Sequence, residues 1–467
     1  MSRGLLLGLL LTTLIYGQPG WTEDRRLSFA SFRGWHPRVA AAGETVHVIW
    51  EAEFLGSSYD SLFYKRSSDA GEDWQQEYNI GSRDTGAIYV RIACSDSLIY
   101  VQWRNTPGNP MLYNIRSRNS RNGGLQWSDI IPAEYDIYGR EIFLQNDTVH
   151  MICGKAQNCF YFQSVNLGST WCILDTIEFI SAGGFYVSGI DSFVFSVLMV
   201  NIIPGPYEDI EFIRSTDHGQ TWGDRRVISD IDTVPGITPV IAVDSLGNPH
   251  VCWIDYKYAG PGFTGDVFYR RSTDHGLTWE PIVKLTSVSK ALNPSIAVEG
   301  TNVHVVWEDY RLGAENREIY YITSSDLGRT WGDETRLTYA PEWSKVPKLT
   351  VSSRNGRSAK YLYLVWEDYR EEYGPQIFFK RKDLQIRVAE ERYFPLRVKV
   401  YPNPTQGSIY ADFGTTVAKV TLYDPLGRKE KEVRWVNRLK LVLPAGIHFL
   451  YAEKGEQVVL QKIVVLK

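Results

Sequence analysis

Three segments of this 467-residue chain set an acid, an aromatic and a base in one order: Trp253-Ile254-Asp255-Tyr256-Lys257, Trp307-Glu308-Asp309-Tyr310-Arg311 and Trp366-Glu367-Asp368-Tyr369-Arg370. Aromatic faces stack on sugar rings, and flanking carboxylates and cations bond to hydroxyls or charged substituents, so these residues are candidate ligand contacts. Triplication also favours a second reading, a structural salt-bridged corner, because a catalytic set is normally assembled from unlike parts. A further candidate emerges when the chain is aligned on Pro37, Pro294 and Pro347. Arg38, Arg91, Glu141, Phe185, Val240, Ser295 and Lys348 then share one repeat position. Lys348, Arg38 and Arg91 would lie side by side if the repeats close a ring, as a cationic arc suited to a carboxylate or sulfate. The competing reading is a set of solvated charges between repeats.

Other chemistry is excluded by composition. A formal charge of -4 with no basic stripe argues against nucleic acid. No Cys/His spacing fits zinc, and nothing implies a cofactor. His47, His250 and His304 recur at one strand position, which points to packing. Of five cysteines, Cys153, Cys159 and Cys172 fall in one repeat; a local disulfide between Cys153 and Cys159 and a buried-thiol reading are both open.

The elements that must position these residues repeat about every 50 residues, the signature of stacked supersecondary units. Six copies of one turn run Ser67 to Trp74, Ser120 to Trp127, Ser164 to Trp171, Ser215 to Trp222, Ser272 to Trp279 and Ser324 to Trp331. The last three read Ser-x-Asp-x-Gly-x-Thr-Trp. Asp69, Asn122, Asn166, Asp217, Asp274 and Asp326 carry a side-chain oxygen that can accept backbone N–H groups just ahead and close the turn. Glycine supplies the positive φ. Trp74, Trp127, Trp171, Trp222, Trp279 and Trp331 then bury apolar surface between sheets.

Four short strands surround each turn. In the sixth unit they are Pro294 to Val298, Val303 to Trp307, Ile319 to Ser324 and Trp331 to Leu337. A seventh unit has three strands and no turn of this kind. Its fourth strand is predicted at the other end, where Trp21 to Ser28 closely matches Trp222 to Ser229. The expected fold is all-β, a seven-bladed β-propeller closed by the N-terminal strand, followed by a small C-terminal β-sandwich. The b–c and d–a loops would share the face opposite the turns, and any site belongs there or in the channel mouth.

The six turns resemble the Asp-box, or bacterial neuraminidase repeat, proteins over Trp21 to Lys382. That family includes sialidases, other glycoside hydrolases and exported proteins without known activity. It specifies fold more than function. A sialidase would need an arginine triad, a proton-donating acid and a tyrosine nucleophile. The nearest motif, Phe32-Arg33-Gly34-Trp35-His36-Pro37, is two residues too long, and sialidase domains have six blades, so no triad is assigned.

The tail carries Val400-Tyr401-Pro402-Asn403-Pro404, Leu422 to Arg428 and Leu443 to Ile447. It resembles the type A sorting domain of the type IX secretion system, which implies passage across an outer membrane through that machinery. Gly4 to Gly17 has the layout of a cleaved signal peptide, shorter than a membrane span. The domains expected are 1–17 signal peptide, 18–392 propeller and 393–467 sorting domain. The protein is read as secreted or on the outer cell surface, exported through the periplasm. Three functions follow: a propeller binding a glycan or surface polymer, a sialidase-like hydrolase with Arg38 and Arg91 on an anionic sugar and Glu53 or Asp309 as acid, or a scaffold without a site.

Overall fold

Strands rich in Val, Ile, Tyr and Trp build this chain, as β-branched and aromatic side chains favour. The computed structural model describes residues 20–28, 32–54, 60–81, 86–106, 115–133, 138–155, 158–178, 182–201, 207–259, 265–352, 361–372, 374–384, 399–401, 408–425, 428–454 and 457–465. The signal segment 1–17 lies outside them. Every regular element among the described residues is a β-strand, and no helix is long and apolar enough to cross a membrane. Two compact units divide the chain, residues 1–385 and 386–467.

The first unit holds seven four-stranded antiparallel sheets among the described residues. Their first strands are Phe32–Ala42, Gly86–Ser95, Tyr138–Gln145, Ala182–Ile190, Gly236–Val243, Ala291–Glu299 and Ser344–Val351. Each packs against the first strand of the next sheet, and Ser344–Val351 packs against Phe32–Ala42. Arg25–Arg26 pairs with Gln376–Asp383 in the register Arg25↔Phe379 and Arg26↔Phe378. Thr22 N–H donates to Arg381 O at 2.9 Å and Leu27 N–H to Ile377 O at 2.7 Å, so residues 21–28 complete the seventh sheet.

Hydrophobic cores lie between adjacent sheets. One joins Cys252, Val267 and Tyr269 of the fifth sheet to Val305, Trp307 and Ile322 of the sixth. Trp50, Trp103, Trp253, Trp307 and Trp366 recur on second strands and are buried, each contributing roughly 2–3 kcal/mol.

The six turns share one set of bonds. Each leading serine hydroxyl accepts the N–H of the glycine four residues on, at 2.8–2.9 Å. Each Asp or Asn oxygen accepts the N–H four residues on, as Asp217 does from Thr221 at 2.9 Å and Asn166 from Thr170 at 2.9 Å. The bonds from Thr221 are the first cause holding Asp217 down at about 2. The glycine has φ of +82° to +89° in all six, and a Cβ there would strike an aromatic of the preceding sheet, as at Gly328 against Tyr269. The closing tryptophan meets that same ring edge-on, with Trp331–Tyr269 at 4.8 Å and Trp222–Tyr161 at 4.9 Å. Trp21 does likewise to Tyr321 at 5.5 Å, filling the seventh position from the N-terminal strand. Each turn is therefore a clamp between sheets.

Register settles the cysteines. Cys153 pairs with Phe160 and Cys159 with Gly154, so the two sulfurs project from opposite faces of their sheet. All five thiols are free and the local disulfide is ruled out. His47, His250 and His304 bond through Nδ1 to Tyr64, Tyr269 and Tyr321 hydroxyls at 2.7–2.8 Å. Burial pulls His47 and His304 to about 3, so they are neutral packing groups.

In the second unit, Lys399–Tyr401, Ser408–Tyr423, Lys429–Val442, Gly446–Lys454 and Gln457–Val465 form one five-stranded sheet. Its register breaks between Asp412 and Val417. Ile409, Val420, Leu441, Leu450 and Ile463 share its core. The Pro-Asn-Pro turn lies outside the described residues.

Candidate functional site

The acid of each triplicated segment is spent on its own corner. Asp255, Asp309 and Asp368 are buried, and each accepts the indole N–H of the tryptophan two residues back, at 3.1, 2.9 and 2.8 Å. Each also accepts the backbone N–H two residues on, from Lys257, Arg311 and Arg370. Arg311 and Arg370 grip their aspartates with two N–H groups each. Arg311 also meets Glu334, and Arg370 meets Asp24 of the N-terminal segment at 2.8 Å. Tyr256 packs into the core between the fifth and sixth sheets. The polar atoms of Asp255, Asp309, Asp368, Arg311 and Arg370 are thus bonded within the protein, and the Tyr256 ring is packed against its core.

Tyr310 and Tyr369 remain half-buried and belong to a different group, together with Trp343, Arg317 and Lys345. Lys345 Nζ lies 3.4 Å from the Trp343 ring centre and 4.7 Å from that of Tyr369. The Arg317 guanidinium sits 5.3 Å from Trp343 and 5.4 Å from Tyr310. Trp343 meets Tyr369 edge-on at 5.4 Å, and its indole N–H donates to Ala314 O at 3.0 Å. Burial is the first cause lowering Lys345, with Arg317 adding repulsion, and burial pushes Tyr369 up to about 12. Trp343 follows neither of the repeating tryptophan positions. That irregularity was its signal in the sequence, and Lys345 and Arg317 carried none.

Three acids line the ends of the same second strands. Glu308 accepts from Arg317 at 2.7 Å, Asn293 at 2.9 Å and Val346 N–H at 3.3 Å. Glu367 accepts His36 N–H at 2.7 Å, and Glu51 bonds His36 Nδ1 at 2.9 Å and Val90 N–H at 3.4 Å. Each carboxylate thus bonds the first strand of the following sheet. The Glu51 bond raises His36, and burial raises Glu367. Glu53 pairs with Arg33 at 3.7 Å and lies across the strands from Asp60, which burial and neighbouring Glu51 and Glu53 raise.

The cationic position sits where every first strand breaks register. The breaks end at Arg38, Arg91, Glu141, Tyr186, Val240, Ser295 and Lys348. Tyr186, rather than Phe185, is the fourth member, because its sheet breaks register between Gly183 and Tyr186. Two residues earlier the backbone is left-handed at His36, Tyr89, Thr238, Asn293 and Val346, with φ of 48–55°, and at Gly184. Such conformations cost about 1–3 kcal/mol for residues with a side chain. Arg38, Arg91, Lys348, Glu141 and Tyr186 converge closely enough to act on one another's charge. Arg91 Nε donates to Glu141 at 2.8 Å. Burial, then Arg91, pulls Arg38 to about 10, and burial, then Arg38 and Arg91, pulls Lys348 to about 7.

Residues 399–466 match the family model described as a secretion system C-terminal sorting domain. The tail is a type IX sorting domain. It indicates export, to the cell surface or into the medium, and implies contact with that secretion machinery. No curated protein is similar enough to count as a relative. Among solved structures, a PL25 ulvan lyase bound to -[GlcA(1-4)Rha3S]- matches at 10% identity and TM-score 0.51, covering 76% of this chain and 95% of that one. A Dyadobacter fermentans DSM 18053 protein of unknown function matches at 13% identity and TM-score 0.48, over 78% and 100%. A Penicillium chrysogenum alpha-L-arabinanase complexed with arabinobiose matches at 13% and 0.45, over 79% and 99%. The lyase likeness shows a shared propeller-like all-β fold.

Proposed function

We propose that the seven sheets are blades of one closed ring, and that the ring is an exported module binding a glycan or other surface polymer on the face opposite the box turns. The observation that carries this reading is the group Trp343, Tyr369, Tyr310, Lys345 and Arg317 on sheets six and seven. Aromatic rings present sugar-sized apolar faces, and the cations beside them reach hydroxyl or acidic substituents. None of these residues repeats around the ring, unlike the corner aspartates. A shared fold with an ulvan lyase solved on a saccharide is consistent with such a ligand.

The test uses the full chain with a mixed panel of sialylated, sulfated and neutral glycans, following retention and released sugar together. Retention lost in Trp343→Ala is the expected result. Equal retention by Trp343→Ala and Tyr369→Ala would overturn the reading and leave the scaffold ahead. A hydrolase remains the second reading on one observation: Glu53 and Asp60 face each other across their strands, with Asp60 raised, as a proton-donating acid beside a second carboxyl group would be. Sugar release that disappears in Asp60→Asn would favour it.

A further inference from the structure

We propose that Arg38, Arg91 and Lys348 form an anion site that takes one carboxylate or sulfate group, the acidic substituent of the bound glycan; the identity of the anion's carrier rests on the glycan reading above. The three side chains come from the first strands of sheets one, two and seven, which are neighbours. They share the position after the register break, so the same bulge delivers all three. Charge is not a demand of that bulge, because Val240 and Ser295 occupy it in sheets five and six.

The local charge does not balance. Glu141 is the one carboxylate at this ring position, and its ion pair is with Arg91 at 2.8 Å. Glu51 and Glu367 are nearby, but they are engaged with His36 and backbone N–H groups. Arg38 donates to its neighbour's carbonyl, Pro37 O, at 3.0 Å and has no carboxylate partner among the described residues. Lys348 has no hydrogen bond or ion pair there. Two cations in excess, removed from much of the solvent, repel one another and lack counter-charge. An anion between them would supply it, with arginine donating in pairs and lysine acting as a point charge. The lowering of Lys348 to about 7 has the same origin, burial first and then the two arginines. Anion affinity should accordingly fall as pH rises through 7 and Lys348 gives up its proton.

Calorimetry on the full chain tests this with sodium sulfate against sodium chloride at matched ionic strength. A saturable sulfate response is expected in the native chain and its loss in Lys348→Met and in Arg38→Gln. Because each variant removes an uncompensated charge, each is also expected to raise the melting temperature in anion-free buffer, which separates loss of the site from misfolding. A sulfate response no different from chloride overturns the site, as does one that both variants retain, or a Lys348→Met chain that melts lower without anion. A second arm compares a sulfated oligosaccharide, a uronate oligosaccharide and a neutral one. At least tenfold tighter binding of an acidic one is expected, falling to parity in Lys348→Met while retention of the neutral sugar through Trp343 stays unchanged. Sulfate binding with no preference for either acidic sugar overturns the glycan as carrier. A sulfate response that persists while Trp343→Ala leaves neutral-sugar retention unchanged overturns the glycan reading alone.

Discussion

The box turns and the opposite face are built from the same repeats and have come to differ in how much they vary. Across the first unit, all six turns make the same serine–glycine bond and the same clamp on an aromatic of the preceding sheet. At the other end of the strands, Trp343, Lys345 and Arg317 occur on two sheets, and the cations that follow the register breaks on three. Uniform chemistry holds sheets together; chemistry that departs from the repeat is free to recognise something.

The largest test of that contrast is a pair of glycines. Gly328→Ala is expected to cost about 3 kcal/mol, since the backbone is left-handed and the new Cβ would lie 2.1 Å from the Tyr269 hydroxyl oxygen. Gly313→Ala on the facing loops meets nothing within 4 Å and carries only the strain of its positive φ, about 1–2 kcal/mol. Equal losses in urea unfolding would break the comparison. Next, Trp343→Ala is expected to weaken glycan retention at least tenfold, about 1.4 kcal/mol, while changing stability by about 0.5 kcal/mol or less. A variant that unfolds readily would move Trp343 into the structural class.

Smaller effects concern protons. Asp217→Ala should cost about 1 kcal/mol at neutral pH, as loss of a capping oxygen does. Because the folded Asp217 is held at about 2, below its ordinary 3.8, its contribution is present above about 4 and lost as pH falls toward 2. Melting curves of native and variant chains should converge there. Glu318 carries the opposite sign: burial first raises it to about 7, so its proton favours the folded state and stability declines as pH rises from about 4.5 to 7. Glu318→Gln is expected to remove that slope, and an unchanged slope would assign the decline elsewhere.

Much of the architecture was readable because it is periodic. The six turns, the matching octapeptide at Trp21 to Ser28 and the tail motifs lie within short windows of sequence. Pairing of Arg25 and Arg26 with Phe379 and Phe378 involves the very segment that the octapeptide singled out. Reading failed where geometry depended on a neighbour. The alignment placed Phe185 one residue short of the fourth position, which the register break from Gly183 to Tyr186 assigns to Tyr186. Nor does spacing display how the corner aspartates share their oxygens among an indole, a backbone amide and, in two cases, a guanidinium.

What the sequence determined by itself was therefore local and repeated: strand order, turn chemistry, the strand supplied by residues 21–28 and the sorting tail. Turn and strand signals act within a few residues, so periodicity displays them without coordinates. Tertiary structure alone decided which charges are satisfied. Whether Asp368 is consumed by Arg370 and Trp366, whether Lys345 lies on Trp343, and whether Arg38 and Lys348 are left without a counter-ion depend on burial and on side chains from adjacent sheets. Those distances do not exist until the sheets pack.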